Sequence, residues 1–346
     1  MALTSSPERL LKQWFPHTTT PFIANAPMLG FTDCRLAGAV TRAGGLGFIG
    51  GGFNFEPGST QLANLDARLT QARAELEING SALGLPIGIG FVTFTPTGFE
   101  ENAVAILEKH RVTAVWLAFP KSDADHQPLI EAIRKVQGKG HWDVKIFVQV
   151  GTVEAAKQAL AQGVDVLVVQ GVDAGGHQWA QGSARANNVA IMAAGGIVDA
   201  RGCVAALGLV TYAGADGIVM GTRFIATSEC PAPLSMKESI LAATDGGVAT
   251  IKTTKHDVFQ STDVFPRQYD GRAIIGISYN ESNGGASDEE IIQRYNEARE
   301  KGDDQRRTVW AGTGIGIIKK IVSVEELIKG IQQEAKLTVA RIAERI

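Results

Sequence analysis

The chain has 346 residues, 45% of them hydrophobic, with a mean hydropathy of +0.03, enough apolar material for one large α/β barrel or two ordinary domains. Its 33 basic and 36 acidic residues leave a formal charge of −3, which excludes the electrostatic footprint of a nucleic-acid or anionic-membrane binder. Three widely spaced cysteines, Cys34, Cys203 and Cys230, exclude a readable disulfide framework or CxxC metal site and point to a reducing compartment. No segment approaches ~18 uninterrupted apolar residues and the N-terminus lacks a long apolar core. A soluble cytoplasmic protein is therefore expected, with import into an organelle left open.

In chain order, short β-branched or apolar runs end in Gly, Pro or Thr, and Ala/Leu/Glu-rich segments of helical period follow them. The predicted strands are "FIANAPM" (22–28), "LGFIGG" (46–51), "PIGIGFV" (86–92), "AVWLAF" (114–119), "KIFVQV" (145–150), "VDVLVVQ" (164–170), "VAIMAA" (189–194) and "DGIVMG" (216–221). The exception to the alternation is "GVDAGGHQWAQGSARANN", between the sixth and seventh of these, which reads as loop with no helix. Nearly continuous apolar strands imply a parallel sheet covered on both sides, and eight βα units imply a closed TIM (β/α)8 barrel. A doubly wound sheet is the second choice.

After Arg223 the rhythm changes. "SMKESILAATDGG", "DEEIIQRYNEAREKGD" and the C-terminal "SVEELIKGIQQEAKLTVARIAERI" read as helices, and "TDVFPRQYDGRAIIG" as irregular. The expected division is a ligand-binding barrel core over 1–225, an inserted or capping, mainly helical region over 226–305, and a segment over 306–346 that returns to the barrel.

The loops at the C-terminal ends of barrel strands form the active face. Met28 ends the first predicted strand, Gln149 lies near the end of the fifth, Gln170 ends the sixth, and His177 follows seven residues later. Gly195 and Gly196 end the seventh strand, and Gly221 and Thr222 end the eighth. Both turns can aim backbone amides at a phosphate, and a phosphate site after the seventh and eighth strands recurs in such barrels. "AGGLGFIGGG" (43–52) runs from helix end to strand, the wrong order for a dinucleotide fingerprint. "AGTGIGIIKK" (311–320) either approaches a cofactor or caps the final helical region.

The set "NAPMLG", "TRAGGLGFIGGG", "VQVGTVEAAKQALAQGVDVLVVQGVDAGGH", "AAGGIVDARG", "GADGIVMGTRF" and "WAGTGIG" spans residues 25–316 and resembles the nitronate monooxygenases, formerly 2-nitropropane dioxygenases. The resemblance implies an FMN-dependent barrel that oxidises alkyl nitronates, such as propionate 3-nitronate, with O2 to a carbonyl compound and nitrite. Matched motif by motif, it implies Ala26, Pro27 and Met28 beside the isoalloxazine, Gln149, Gln170 and Gly175 in contact with the flavin, and Gly195, Gly196, Gly221 and Thr222 around its phosphate. It implies His177 facing the substrate as the catalytic residue. A loop histidine is in general solvated or satisfied by backbone, but one on the active face beside glycines has the range to act as base or to hold an anion. The chain departs from the family at Asp173, where Glu is common, and at Gln178-Trp179-Ala180, where a Gly commonly follows the histidine, so substrate preference stays open.

His17, His110, His126 and His256 lie in expected termini or helices and His141 on the opposite face; none has metal-pair spacing, and no metal is expected. No GxSxG elbow is present, and Cys34 reads as a packing residue. The expected partners are a nitronate and O2, with a homodimer as an open option. The alternative enzyme is an FMN-dependent NAD(P)H:quinone or enoyl-thioester reductase on the same barrel. A flavin-free phosphosugar barrel and a binding protein that has lost activity are the non-redox alternatives.

Overall fold

The computed structural model describes residues 7–80, 83–140, 142–179, 189–208, 214–262 and 264–345; His141 and Ala180 lie outside them. The described strands, in chain order, are β1 (Phe22–Asn25), β2 (Gly47–Gly52), β3 (Leu85–Val92), β4 (Val112–Ala118), β5 (Lys145–Val150), β6 (Val166–Gln170), β7 (Gly176–Trp179), β8 (Ala190–Ala194), β9 (Gly217–Met220), β10 (Thr250–Thr253) and β11 (Tyr269–Ile274). All but β7, β10 and β11 form one parallel sheet in the order β1-β9-β8-β6-β5-β4-β3-β2. Leu46 N–H donates to the Ile23 carbonyl (2.9 Å) and Ala24 bridges Leu46, which joins the two sheet edges. The fold is thus the expected TIM barrel, and each of the eight predicted strands is one of its staves.

The N-terminal end of the barrel is filled by rings. Phe48 meets Trp116 and Phe147 edge-on at 5.3 and 5.4 Å, and β3 admits the Phe48 ring because Gly88 has no Cβ, which would lie 2.2 Å from it. Helix Pro7–Trp14 and the residue after it bring the buried Leu11 and Phe15 across this end. Each such ring contributes roughly 1.5–3 kcal/mol on burial. This plug leaves the opposite mouth, at the strand C-termini, as the open end.

Side-chain caps start the outer helices: Asp33 accepts from Leu36 N at the head of Cys34–Arg42, Ser59 caps Thr60–Glu75, and Thr152 caps Val153–Ala161. The C-terminal helix Val324–Ala343 packs against Cys34–Arg42 and Ala200–Gly208, in the eighth place of the outer ring. Among the described residues no helix is long and apolar enough to cross a membrane.

Two expectations are corrected. The link after β6 contains β7, and the stretch read as irregular contains β11; β7 pairs antiparallel with β11, which pairs with β10. The register sets His177 opposite Gly271. β7 has four residues and its partner lies about ninety positions along the chain, so it carries little local signal; β11 does alternate buried and half-buried residues over Tyr269–Ile274, a period of two that the reading as irregular passed over. The 226–305 stretch therefore holds two strands of this small sheet, β10 and β11, besides its helices Leu234–Ala242, Gly246–Ala249, Lys255–Gln260, Ile277–Asn283 and Asp288–Glu300.

Candidate active site

A cavity of about 590 Å3 opens at the C-terminal mouth of the barrel. Ala26, Pro27, Met28, Gln149, Gln170, Gly175, His177, Gly195, Gly196, Gly221 and Thr222 all line it. The fold thus gathers residues from five barrel-strand ends into one space of the size that holds a small molecule.

The strand ends are tied together by polar contacts. The Gln149 side-chain amide donates to Gln170 Oε1 (2.8 Å), and the Gln170 amide donates to the His177 carbonyl (3.3 Å). Gln149 is buried, so this pair runs along the barrel wall with few alternatives. Gly195 and Gly196 have φ of +113° and +67°, the left-handed region that favours glycine. The amides of Gly195, Gly196, Gly221 and Thr222 donate to no described group. Half-buried N–H groups without protein partners can take an anion.

The segment 311–314, whose role the sequence left open, lines the cavity at Gly312 and Gly314. Gly312 N donates to Thr222 Oγ1 (3.0 Å) and Thr313 N to the Asp173 carbonyl (3.0 Å). A Cβ at Gly175 would stand 2.5 Å from both Ala311 C and Gly312 N. Three loops therefore meet with their backbones in contact. At the cavity floor lies Trp116, whose indole N–H is buried without a partner among the described residues.

His177 sits on β7, half-buried. Its Nε2 bonds Asp257 Oδ1 (2.8 Å) and Oδ2 (3.0 Å). Its ring stacks on Phe265 (3.6 Å, 8°), lies 4.8 Å from Trp310 and meets Phe119 edge-on at 6.3 Å. Phe119 has φ of +64°, a strained setting for an aromatic residue and one that clusters at functional sites.

Sequence reasoning missed Asp257, Phe265 and Phe119. Asp257 is one acidic residue among 36 with no motif around it. Trp310 stood in the quoted "WAGTGIG", but nothing marked it as a neighbour of His177.

The other histidines and the cysteines take structural roles. Burial lowers His126 to about 4, and its ring meets the Thr93 hydroxyl at 2.9 Å. His110 bonds Asp66 at 2.8 Å, and burial still pulls it below the usual histidine range. His256 is held low chiefly by burial and lies beside Trp310. Burial raises the thiols of Cys34, Cys203 and Cys230, the opposite of what a nucleophile needs. Among the described residues no group of three or more His, Cys, Asp or Glu could hold a metal ion.

A family model described as "Nitronate monooxygenase" matches residues 104–334. A nitronate monooxygenase of Neurospora crassa is 36% identical over 96% of this chain and 93% of its own. The nitronate monooxygenase npaC of Metarhizium robertsii is 31% identical over 95% of each chain. Among solved structures, FabK from Thermotoga maritima superposes with a TM-score of 0.72 over 97% of this chain and 99% of its own, at 23% identity, a likeness of fold.

Proposed function

The chain belongs to the nitronate monooxygenase family, a family of oxidoreductase enzymes, and from that premise we propose that it oxidises alkyl nitronates with O2 to a carbonyl compound and nitrite, using FMN. The observation that carries this reading is that His177 and the amides of Gly195, Gly196, Gly221 and Thr222, unpartnered among the described residues, line one cavity.

The residues present fit FMN. The free amides suit its phosphate, and Gln149 and Gln170 offer amides along the wall. Ala26, Pro27 and Met28 supply an apolar edge with little side-chain bulk except at Met28. When bound, FMN supplies the electron-transfer chemistry toward O2. The protein supplies orientation and exclusion of water: Phe53, Phe94, Phe119, Val264, Phe265 and Trp310 wall the rest of the cavity. His177 would hold the negative charge of a nitronate, or take the α-proton of a neutral nitroalkane. Three buried free cysteines fit work in a reducing, cytoplasmic compartment.

The test is anaerobic mixing of the purified yellow protein with propionate 3-nitronate and, separately, with NADPH. Loss of flavin absorbance with the nitronate and not with NADPH is expected; rapid bleaching by NADPH favours the reductase instead. His177→Asn should abolish nitronate turnover and retain the flavin. Unchanged turnover in that variant removes His177 from the chemistry.

A further inference from the structure

Asp257 belongs to helix Lys255–Gln260, outside the barrel, 80 residues from the histidine it holds. It is 3% exposed, and both its oxygens converge on His177 Nε2 at 2.8 and 3.0 Å. An ionised carboxylate only accepts hydrogen bonds, so Nε2 carries the hydrogen. Nδ1 is then the second ring nitrogen, and it has no hydrogen-bond partner among the described residues. Rotation of the ring is blocked by Phe265, stacked at 3.6 Å, and by Trp310 at 4.8 Å.

We propose that Asp257 is a positioning residue that fixes His177 as its Nε2–H tautomer and so makes Nδ1 the base for neutral nitroalkanes. This rests on the nitronate-oxidising reading above. The step is a proton transfer without net redox. The Nδ1 lone pair takes the α-hydrogen as a proton, the C–H electron pair becomes the C=N bond, and one N=O pair moves onto oxygen. The products are the alkyl nitronate anion and an imidazolium, whose Nε2–H stays on the Asp257 carboxylate. A preformed nitronate has already lost that proton and needs only to be bound. Asp257 should therefore matter far more for nitroalkanes than for nitronates, because tautomer and orientation govern proton abstraction, a step that a preformed nitronate does not undergo.

The experiment compares the flavin-loaded wild type with Asp257→Asn on nitroethane and on preformed ethyl nitronate, with 15N-histidine NMR of both proteins. The His177 signal is assigned by its loss in His177→Asn. Expected are an Nε2–H signal for His177 in the wild type, its shift toward Nδ1–H in Asp257→Asn, and a fall on the order of 10²-fold in nitroethane turnover against less than about tenfold for the nitronate. Equal losses on both substrates overturn the proposal, because a merely structural role lowers them together. An Nδ1–H or doubly protonated His177 in the wild type at the assay pH also overturns it, whether or not the variant folds. A wild type that oxidises neither substrate refutes the nitronate reading instead, and the NMR result still decides the tautomer.

Discussion

Replacing Gly175 by alanine tests whether the close meeting of backbones beside the cavity has a function. The added Cβ would lie 2.5 Å from Ala311 C and from Gly312 N, and 2.7 Å from Ala311 Cα. Carbon contacts are optimal at roughly 3.5–4.0 Å, so the segment at 311–312 must retreat by about 1 Å. Neither side can yield by rotating a side chain, because both are backbone. Overpacking of this kind costs about 1–3 kcal/mol. The retreat pulls Gly312 N from Thr222 Oγ1, now 3.0 Å away, and so disturbs the turn assigned to the phosphate. If the whole penalty falls on the flavin-bound state, affinity drops roughly 5- to 150-fold. The assay is flavin retained after gel filtration, with the dissociation constant from flavin fluorescence and a parallel thermal melt. Gly176→Ala is the comparison: its Cβ meets nothing within 4 Å, but its φ is +73°, so it should lower stability by about 1–2 kcal/mol of backbone strain and spare the flavin. Wild-type flavin affinity in Gly175→Ala, or equal flavin loss in both variants, refutes the reasoning.

Acid should destabilise the fold through His126, whose folded pKa is lowered by burial to about 4 from the ordinary histidine value of 6.5. Between these values the unfolded chain binds a proton that the folded chain refuses, so the contribution is complete above about pH 6.5 and is lost as pH falls toward 4. Its full size is about 3 kcal/mol, of which about 2 kcal/mol goes between pH 7 and pH 5. Denaturant midpoints at the two pH values in wild type and His126→Gln check this; an equal pH slope in both proteins removes His126 as the cause. Lys237 is buried and donates to the carbonyls of Thr227 (2.7 Å) and Cys230 (2.8 Å). Lys237→Met leaves these acceptors without their donor, which costs about 1–3 kcal/mol, and a melting temperature equal to that of the wild type contradicts that assignment.

The barrel was legible because its strands are buried on both faces. Runs such as those at 145–150 and 164–170 are apolar but for Lys145, Asp165 and the cavity-lining Gln149 and Gln170, and the glycine pair at 195–196 had to be glycine because both residues turn through positive φ. The segment at 311–314 was visible as a glycine string, yet its place was not. It lies between the loop at 173–175 and the turn at 195–196 through contacts with residues more than a hundred positions earlier. Trp179 packs edge-on to Tyr269 at 4.9 Å, so this residue serves the small sheet that β7 shares with β11.

The sequence by itself determined the parallel barrel, the face on which the cavity opens, the glycine turns suited to a phosphate, and His177 as the residue to test, because each is written in local periodicity or in a residue type its backbone requires. Only the tertiary structure decided that β7 is a strand, that Asp257 holds Nε2, and that Phe265, Trp310 and Phe119 fix the imidazole. Those are meetings of side chains separated by tens of residues, and no neighbouring position has to change its character to permit them.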